Sequence, residues 1–186
     1  ARLGKSIVIL GAGTIGLMVL QACKSLGATD ITVVDVMDKR LDLAKELGAS
    51  RTINGAKEDT VALLRSEELF GDHGVELVFE CAGSTFTANQ AVQIVARGGK
   101  IMMVGTQSKP VPIDFLKINR EVTIQTSFRY CNNFPQTIEA ISSGRFNVKD
   151  MVTNIYDYED VQKAFEEAID PVKKTEMVKG VIKVAE

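Results

Sequence analysis

A glycine-rich turn near the start of the chain holds the residues best suited to chemistry. The turn, GAGTIG, runs from Gly11 to Gly16, follows the apolar run 6–10 and opens an apolar-periodic helix. Asp35 closes the next apolar run. Its separation in sequence from Gly16 is close to the roughly 20 residues expected for a carboxylate that accepts hydrogen bonds from an adenosine ribose. Such hexapeptides also occur as ordinary turns, but strand, helix and acidic residue together predict a dinucleotide-binding site.

Each glycine of the turn has a physical task. Gly11 permits the tight turn, Gly13 lets the backbone approach a pyrophosphate, and Gly16 lets the helix pack close to the strand. The phosphates then meet unpaired N–H groups at the start of the helix, which is predicted at Thr14. These four residues are candidate cofactor-binding residues.

Asp35 also predicts which dinucleotide is preferred. Its carboxylate would repel the 2′-phosphate of NADP by about 4 kcal/mol, for unit charges about 4 Å apart at an effective dielectric constant of 20. NAD is therefore favoured. Lys39 and especially Arg40 are close enough in sequence to offset part of this repulsion.

The elements that must position these residues alternate between strand and helix, which predicts a parallel sheet covered on both faces. The predicted strands are 6–10, 31–35, 51–54, 75–79, 100–104 and 122–126. The predicted helices are 14–26, 38–47 with Asp38 as N-cap, 58–70, 86–95 and one with Pro135 in its first turn. Six parallel strands form two mononucleotide-binding halves, so we predict an α/β, doubly wound fold of the Rossmann type.

A short helix-strand tail is predicted after this sheet. We place the sheet domain at residues 1–147 and the tail at 148–186, where Asp157 caps a helix and residues 177–184 form an isolated strand. A less regular stretch occupies residues 107–120. The chain starts with the five residues 1–5 and then enters its first strand at once, without an initiator methionine, which suggests an excised domain.

Composition excludes several partners. The 22 basic and 24 acidic residues leave a net charge of −2, which offers no broad attraction to nucleic acid or to an anionic membrane. No apolar stretch reaches the length of about 18 residues that spans a bilayer. Cys23, Cys81 and Cys131 are odd in number and far apart, which favours small buried apolar residues in a reducing, cytoplasmic protein over disulfides or metal ligands.

Several segments carry a family resemblance. GAGTIG, VVDVMDKRLDLAKELGA, FECAG, GGKIMMVG and FRYCNNFPQTIEAISSGR resemble medium-chain zinc-dependent alcohol dehydrogenases, above all polyol dehydrogenases of the sorbitol and xylitol type. The resemblance covers nearly the whole chain and implies the NAD-binding domain and C-terminal segment of that family. It also implies that the zinc-binding catalytic domain, to which the tail would return, has no counterpart in this chain.

Zinc chemistry in this chain is not expected on its own residues either. A catalytic zinc needs three protein ligands and an open position, and the chain has one histidine, His73, in a glycine-flanked turn. His73 is interpreted as a solvated loop residue. Without zinc to lower the pKa of a bound alcohol, we expect no alcohol oxidation by this chain alone.

Further candidate site residues end the later strands, where ligands of open α/β sheets bind. They are Cys81, Ala82 and Gly83 after the fourth strand and Val104, Gly105 and Thr106 after the fifth. The resemblance places Val104 to Thr106 near the nicotinamide, with Ser127, Phe128 and Arg129 beside them. It also implies that Arg129 and Tyr130 reach the substrate pocket, where both can hydrogen-bond the hydroxyls of a polyol.

Three of these assignments have a structural alternative. The resemblance implies that Ile15 touches the cofactor and that Arg40 lies against its adenosine end, paired with Asp35. Ile15 is equally explained by helix packing, and Arg40 by a solvated arginine in the first helical turn. Tyr130 is also explained as an aromatic residue that packs at the start of the following helix.

The predicted function is the NAD-binding domain of a polyol dehydrogenase that accepts hydride from a secondary alcohol. Residues 111–113 and the strand 122–126 are predicted to form an apolar sheet edge, which favours a homo-oligomer. Alternatives are the cofactor domain of a threonine, butanediol or sugar-phosphate alcohol dehydrogenase, a stand-alone NAD-sensing module, and a methyltransferase.

Overall fold

A computed structural model describes residues 4–118 and 121–185 of the chain. The first residues, Ala1 to Leu3, and Arg120 at the end of the predicted irregular stretch lie outside the described residues. Within the described ranges, no helix is long and apolar enough to cross a membrane.

A six-stranded parallel sheet forms the centre of the molecule, in the order β3-β2-β1-β4-β5-β6. This is the doubly wound order predicted from the sequence. The strands are β1 (Ser6–Leu10), β2 (Asp30–Asp35), β3 (Arg51–Asn54), β4 (Val75–Glu80), β5 (Val95–Met103) and β6 (Thr123–Thr126). The helices are α1 (Thr14–Ser25), α2 (Asp38–Glu46), α3 (Thr60–Leu64), α4 (Thr85–Ile94), α5 (Phe134–Ser142) and α6 (Val161–Ile169).

Alternate residues of β1 build the two halves of the core. Ile7 and Ile9 point into a cluster formed with α1 and α2, whereas Val8 and Leu10 point into a cluster formed with α3 and α4. All four side chains are fully buried. The strand therefore reads as one continuous apolar run, as is typical of parallel sheets covered on both faces.

Several helix and strand boundaries differ from the predictions. The predicted helix 58–70 is confined to α3, because the Asp59 side chain caps its start and turns follow its end. Met37, not Asp38, is the N-cap of α2. The Asp38 carboxylate instead binds the side chains of Asn54 and Lys57. Strand β5 begins at Val95, directly after α4, and includes Gly98 and Gly99, which lie before the predicted strand 100–104.

The tail contains a strand that the sequence prediction missed. Strand β7 (Asn154–Asp157) pairs in parallel with β8 (Gly180–Lys183), so the predicted isolated strand has a partner. The tail is thus strand-helix-strand. Asp157 precedes a single 3-10 turn, Tyr158–Asp160, to which its side chain gives no capping hydrogen bond, and α6 follows that turn.

The residue that precedes the tail, Asn147, is joined to α1 by a buried side chain. Gln21 accepts from the Asn147 N–H at 2.6 Å and donates to the Asn147 carbonyl at 3.1 Å. Met151 of the tail is itself buried in the α1 side of the core. Met151 therefore holds the start of the tail on the face of the sheet that α1 covers.

The opposite edge of the sheet is exposed. All four residues of β6 are exposed, and α5 buries none of its side chains. The predicted edge is only partly correct, because residues 111–113 form no strand. Ile113 packs on the α4 side of the core instead. Cys131 is also exposed, so the expectation that every cysteine is buried was wrong for this one.

Candidate dinucleotide-binding site

A cleft of about 380 Å³ opens where the carboxyl ends of β1, β2 and β4 meet. Strand β1 pairs with both β2 and β4, so the strand order reverses here, which is the place where doubly wound sheets bind ligands. The cleft is lined by Gly11, Gly13, Val34, Asp35, Val36, Arg40, Gly55, Thr60, Cys81, Ala82, Ser84, Phe86, Thr87 and Gln90.

The three glycines of the turn meet different surroundings. A Cβ on Gly16 would lie 1.8 Å from the Gly11 carbonyl oxygen, and one on Gly11 would lie 2.9 Å from the Ala82 nitrogen. Gly11 also has a φ of 103°, which favours glycine. A Cβ on Gly13 would meet nothing within 4 Å. Gly11 and Gly16 thus serve packing, whereas Gly13 leaves open space over the turn.

The start of α1 faces this open space without a capping side chain. Its N-cap is Gly13, which cannot cap, and the first turn contains no acidic residue. The Thr14 hydroxyl points elsewhere and donates to the Val178 carbonyl at 2.6 Å. Uncapped N–H groups at a helix start bind anions well, so the turn fits a pyrophosphate.

Asp35 is held rigidly at the end of β2. Its Oδ2 accepts from the Ala12 N–H at 2.7 Å, and its Oδ1 accepts from the N–H groups of Val36 and Met37 at 2.8 and 3.0 Å. The side chain is only 7% exposed. A carboxylate has about four acceptor positions, so Asp35 retains capacity for a ribose hydroxyl while its orientation is fixed by the backbone.

Arg40 contacts both Asp35 and the tail. Its Nη1 lies 3.9 Å from Asp35 Oδ2, and its Nη2 donates to the carbonyls of Lys174 and Met177 at 3.1 and 3.3 Å. Arg40 is therefore neither free in solvent nor directly hydrogen-bonded to Asp35. Its guanidinium is held beside the cleft mainly by the tail.

Two buried polar atoms at the cleft have no hydrogen-bond partner. Over residues 4–118 and 121–185, Arg40 Nε and Thr60 Oγ1 are the buried side-chain nitrogen or oxygen atoms in this state. Both residues line the cleft. Buried polar groups are nearly always paired, so these atoms fit a polar ligand in the cleft. Sequence reasoning missed Thr60, although its place after β3 beside Gly55 was a signal.

The loops after β4 and β5 touch one another. A Cβ on Gly83 would lie 2.6 Å from the Thr106 carbonyl oxygen, and one on Gly105 would lie 2.3 Å from the Gly83 nitrogen. Cys81 and Ala82 line the cleft, whereas Gly83 and residues 104–106 continue the same edge of the sheet beyond it. The predicted second group of site residues is thus contiguous with the first.

Glu80 holds these loops together, and sequence reasoning gave it no role. Its carboxylate is fully buried. It accepts from the N–H groups of Ala82 and Gly83 and from the side chains of Thr87 and Gln107. A carboxylate at the end of an apolar strand, before a small-residue turn, was the available signal.

The predicted substrate residues lie on the surface. Ser127 is fixed to β5 by its N–H, which donates to the Met103 carbonyl at 3.0 Å. Arg129 lies 4.9 Å from the centre of the Phe128 ring, and the Tyr130 ring lies 5.3 Å from that of Phe134 at the start of α5. The contact agrees with the interpretation of Tyr130 as a residue that packs at the helix start. Ile15 is likewise exposed and does not line the cleft.

The cysteines do not form a metal site. Burial raises the pKa of Cys81 to about 12 and that of Cys23 to about 11, and the negative charge of Glu80 adds to the effect at Cys81. Such thiols stay neutral at physiological pH. Among the described residues there is no group of three or more His, Cys, Asp or Glu side chains that could hold a metal, and His73 is exposed.

A six-stranded doubly wound sheet with this cleft defines a dinucleotide-binding domain. Residues 14–143 match the model of a protein family described as zinc-binding dehydrogenase. The chain belongs to the zinc-binding dehydrogenase family and is an NAD-binding domain of it.

Similar proteins agree with this assignment. An uncharacterized zinc-type alcohol dehydrogenase-like protein of Escherichia coli, YdjJ, is 62% identical over 183 residues, which is 98% of this chain and 52% of that protein. The sorbitol dehydrogenase of Bacillus subtilis is 38% identical over 169 residues, which is 89% of this chain and 47% of that enzyme.

A solved structure shows the same fold. The crystal structure of an Escherichia coli oxidoreductase/dehydrogenase of unknown specificity is 61% identical with a TM-score of 0.93, over all of this chain and 52% of that one. The chain therefore spans about half the length of the proteins that it matches.

Proposed function

We propose that this chain is the NAD-binding half of a zinc-dependent polyol dehydrogenase of the sorbitol or xylitol type. The observation that carries the proposal is the cleft in which the uncapped start of α1, the Asp35 carboxylate and the unpartnered atoms of Arg40 and Thr60 meet. The sorbitol dehydrogenase among the relatives supports the polyol class. In this proposal the zinc is held outside the present chain.

NAD, when bound, supplies the acceptor for a hydride from a secondary alcohol. The residues of this chain bind and orient it. The N–H groups at the start of α1 hold the pyrophosphate above Gly13, and Asp35 accepts from a ribose hydroxyl. The loops 81–83 and 104–106 give the nicotinamide a small-residue surface that it can approach closely.

Arg129 and Tyr130 are proposed to contact the polyol in the longer protein. Arg129 has a φ of 49°, an uncommon conformation for a residue other than glycine. Such strain is often found at functional sites. Both side chains are exposed in the structure, so in this proposal a surface outside the chain completes the substrate pocket.

Turnover by the longer protein tests the substrate class. We expect oxidation of sorbitol and xylitol with NAD, and weaker oxidation of threonine and 2,3-butanediol. Arg129→Ala should lower turnover with sorbitol about tenfold or more, because a charged hydrogen-bond donor to the substrate is lost. The affinity for NADH should stay within about twofold. Faster turnover of threonine or butanediol than of either polyol would refute the polyol class.

Two further features belong to the proposal. The exposed β6 edge supports a homo-oligomer, because an unpaired edge strand offers free N–H and C=O groups for pairing with a second chain. Sedimentation of a monomer at high micromolar concentration would oppose it. The three cysteines are free, which supports a reducing, cytoplasmic location.

A further inference from the structure

The Glu80 carboxylate is an unusual group for its position. It lies at the end of β4 and is fully buried. Over the described part of the chain, it takes part in none of the ion pairs. A buried carboxylate without a cationic partner is costly, so its retention in this place calls for a reason.

The groups that face Glu80 are those that an ionised carboxylate requires. Oε1 receives the N–H groups of Ala82 and Gly83 at 3.0 and 2.8 Å, and Oε2 receives the Gln107 amide at 3.0 Å. The two backbone N–H groups cannot accept a hydrogen bond. The Thr87 hydroxyl lies 2.8 Å from Oε1 and completes the shell. Dipoles thus stabilise a negative charge here without cancelling it.

The charge lies in the half of the sheet that receives the second nucleotide. A dinucleotide crosses the point where the strand order reverses, with one mononucleotide over each half. If Asp35, at the end of β2, reads the adenosine ribose, then β4 and β5 lie under the nicotinamide. Glu80 is directly beneath this edge, since a Cβ on Gly105 would lie 2.7 Å from its Oε2.

We propose that the Glu80 carboxylate biases the site toward the oxidised cofactor, whose nicotinamide ring carries a positive charge that the reduced ring lacks. The inference rests on the proposed function, because it assumes that NAD binds in this cleft. A buried charge acts through protein rather than solvent, so salt screens it little. The consequence is a lower reduction potential for the bound cofactor than a site without this charge would impose.

Glu80→Gln tests the charge while keeping the shape of the side chain. Calorimetry would give the dissociation constants of NAD⁺ and NADH. We expect the ratio Kd(NAD⁺)/Kd(NADH) to rise about fivefold in the variant, because the attraction between the carboxylate and the positive nicotinamide ring is lost. ADP-ribose, which lacks the nicotinamide, should bind within about twofold of the unchanged chain. A purely structural role would weaken all three ligands together.

Two positions supply controls. Glu76→Gln removes a carboxylate from the other end of β4, and it should leave the ratio unchanged. Gln107→Leu removes one donor to Glu80 but keeps the charge, so the ratio should not rise. Gln107→Lys places a cation beside Glu80 and should raise the ratio as Glu80→Gln does, which provides the test if Glu80→Gln fails to fold.

The outcomes separate the inference from the proposed function. If the unchanged chain binds none of the three ligands, the proposed function fails before any variant is made. If it binds all three, an unchanged ratio in both Glu80→Gln and Gln107→Lys overturns the inference alone. An equal loss of affinity for NAD⁺, NADH and ADP-ribose in Glu80→Gln also overturns it, because Glu80 would then only support the loops.

Discussion

The two ends of the predicted cofactor site are built very differently. At the adenosine end, Asp35 is 7% exposed and is held by three backbone N–H groups. At the other end, β6 and α5 are exposed. The exposed side chains of α5 include the large apolar residues Phe134 and Ile138. The predicted adenosine end is thus preorganised by contacts within this chain, whereas the predicted nicotinamide end adjoins an exposed apolar surface.

This difference has a physical meaning for binding. Groups that are fixed before a ligand arrives need not be ordered on binding, which favours affinity. Exposed apolar surfaces of this kind mark interaction sites in proteins. We therefore expect most of the dinucleotide affinity of the chain to come from the adenosine end. The proposed substrate residues, Arg129 and Tyr130, belong to the exposed surface.

The largest expected effect comes from two glycines of the adenosine end. Gly16→Ala places a Cβ 1.8 Å from the Gly11 carbonyl oxygen, so we expect a loss of stability of about 3 kcal/mol or more in urea unfolding, as for other steric conflicts in a packed core. Gly13→Val places its side chain in open space. It should keep the unfolding midpoint, yet reduce NADH affinity about a hundredfold by blocking the pyrophosphate.

The opposite pattern would contradict this part of the comparison. If Gly13→Val bound NADH normally, the open space over the turn would not be the phosphate site. If Gly16→Ala kept full stability, the close approach of helix and strand would not depend on glycine.

The second largest expected effect is on cofactor preference and comes from Asp35. Asp35→Ala should weaken NADH binding about tenfold and reduce the preference over NADPH, since up to about 4 kcal/mol of repulsion between carboxylate and phosphate is removed. Asp35→Asn is the matched control, because it keeps one acceptor oxygen for the backbone N–H groups and removes the charge. An unchanged preference in both variants would show that Asp35 does not read the ribose.

The exposed end should respond differently. Ile138→Glu changes a side chain that is 64% exposed on α5, so the free energy of unfolding should change by less than about 0.5 kcal/mol. NADH affinity of this chain should also stay the same, while self-association falls in sedimentation velocity. A loss of NADH affinity would show that the two ends are coupled. Glu139→Gln, one position along the same helix, is a control.

The smallest expected effect is a difference in the rate of thiol labelling between the buried and the exposed parts of the chain. At pH 8 a thiol reagent should label the exposed Cys131 quickly, the half-buried Cys81 at the cleft more slowly, and the buried Cys23 only after unfolding, because desolvation keeps the last two thiols neutral. Because the pKa values of these two thiols are raised in the folded chain, their contribution to the free energy of unfolding is fully present below pH 9.0, the ordinary thiol value. This contribution is lost as the pH rises from 9.0 toward about 11 and 12. Labelling of Cys23 in the folded chain would contradict its burial.

Local sequence patterns predicted the first half of the molecule well. The turn at Gly11 to Gly16 and the position of Asp35 depend on neighbours in sequence, and the structure places both at one cleft. The six-stranded order follows from alternating strands and helices. Whether these residues bind the cofactor is still a prediction.

The misses depend on how the residues pack in the folded chain rather than on the periodicity of the sequence. Strand β7 has four residues and exists through its pairing with β8, more than 20 residues later. Thr60 reaches the cleft because β3 places it beside Gly55. Glu80 ends an apolar run, and only the packing of the two loops shows that it is buried among donors. The local periodicity of the sequence carries no signal for such strand pairing and packing.

Titration of this chain with NADH and, separately, with NADPH tests the central claim most directly. Reduced-nicotinamide fluorescence or calorimetry would report binding. We expect saturable NADH binding and NADPH binding that is at least about tenfold weaker, since the Asp35 carboxylate opposes the 2′-phosphate. Equal affinities for both, or no binding of either, would contradict a preorganised NAD site at the adenosine end.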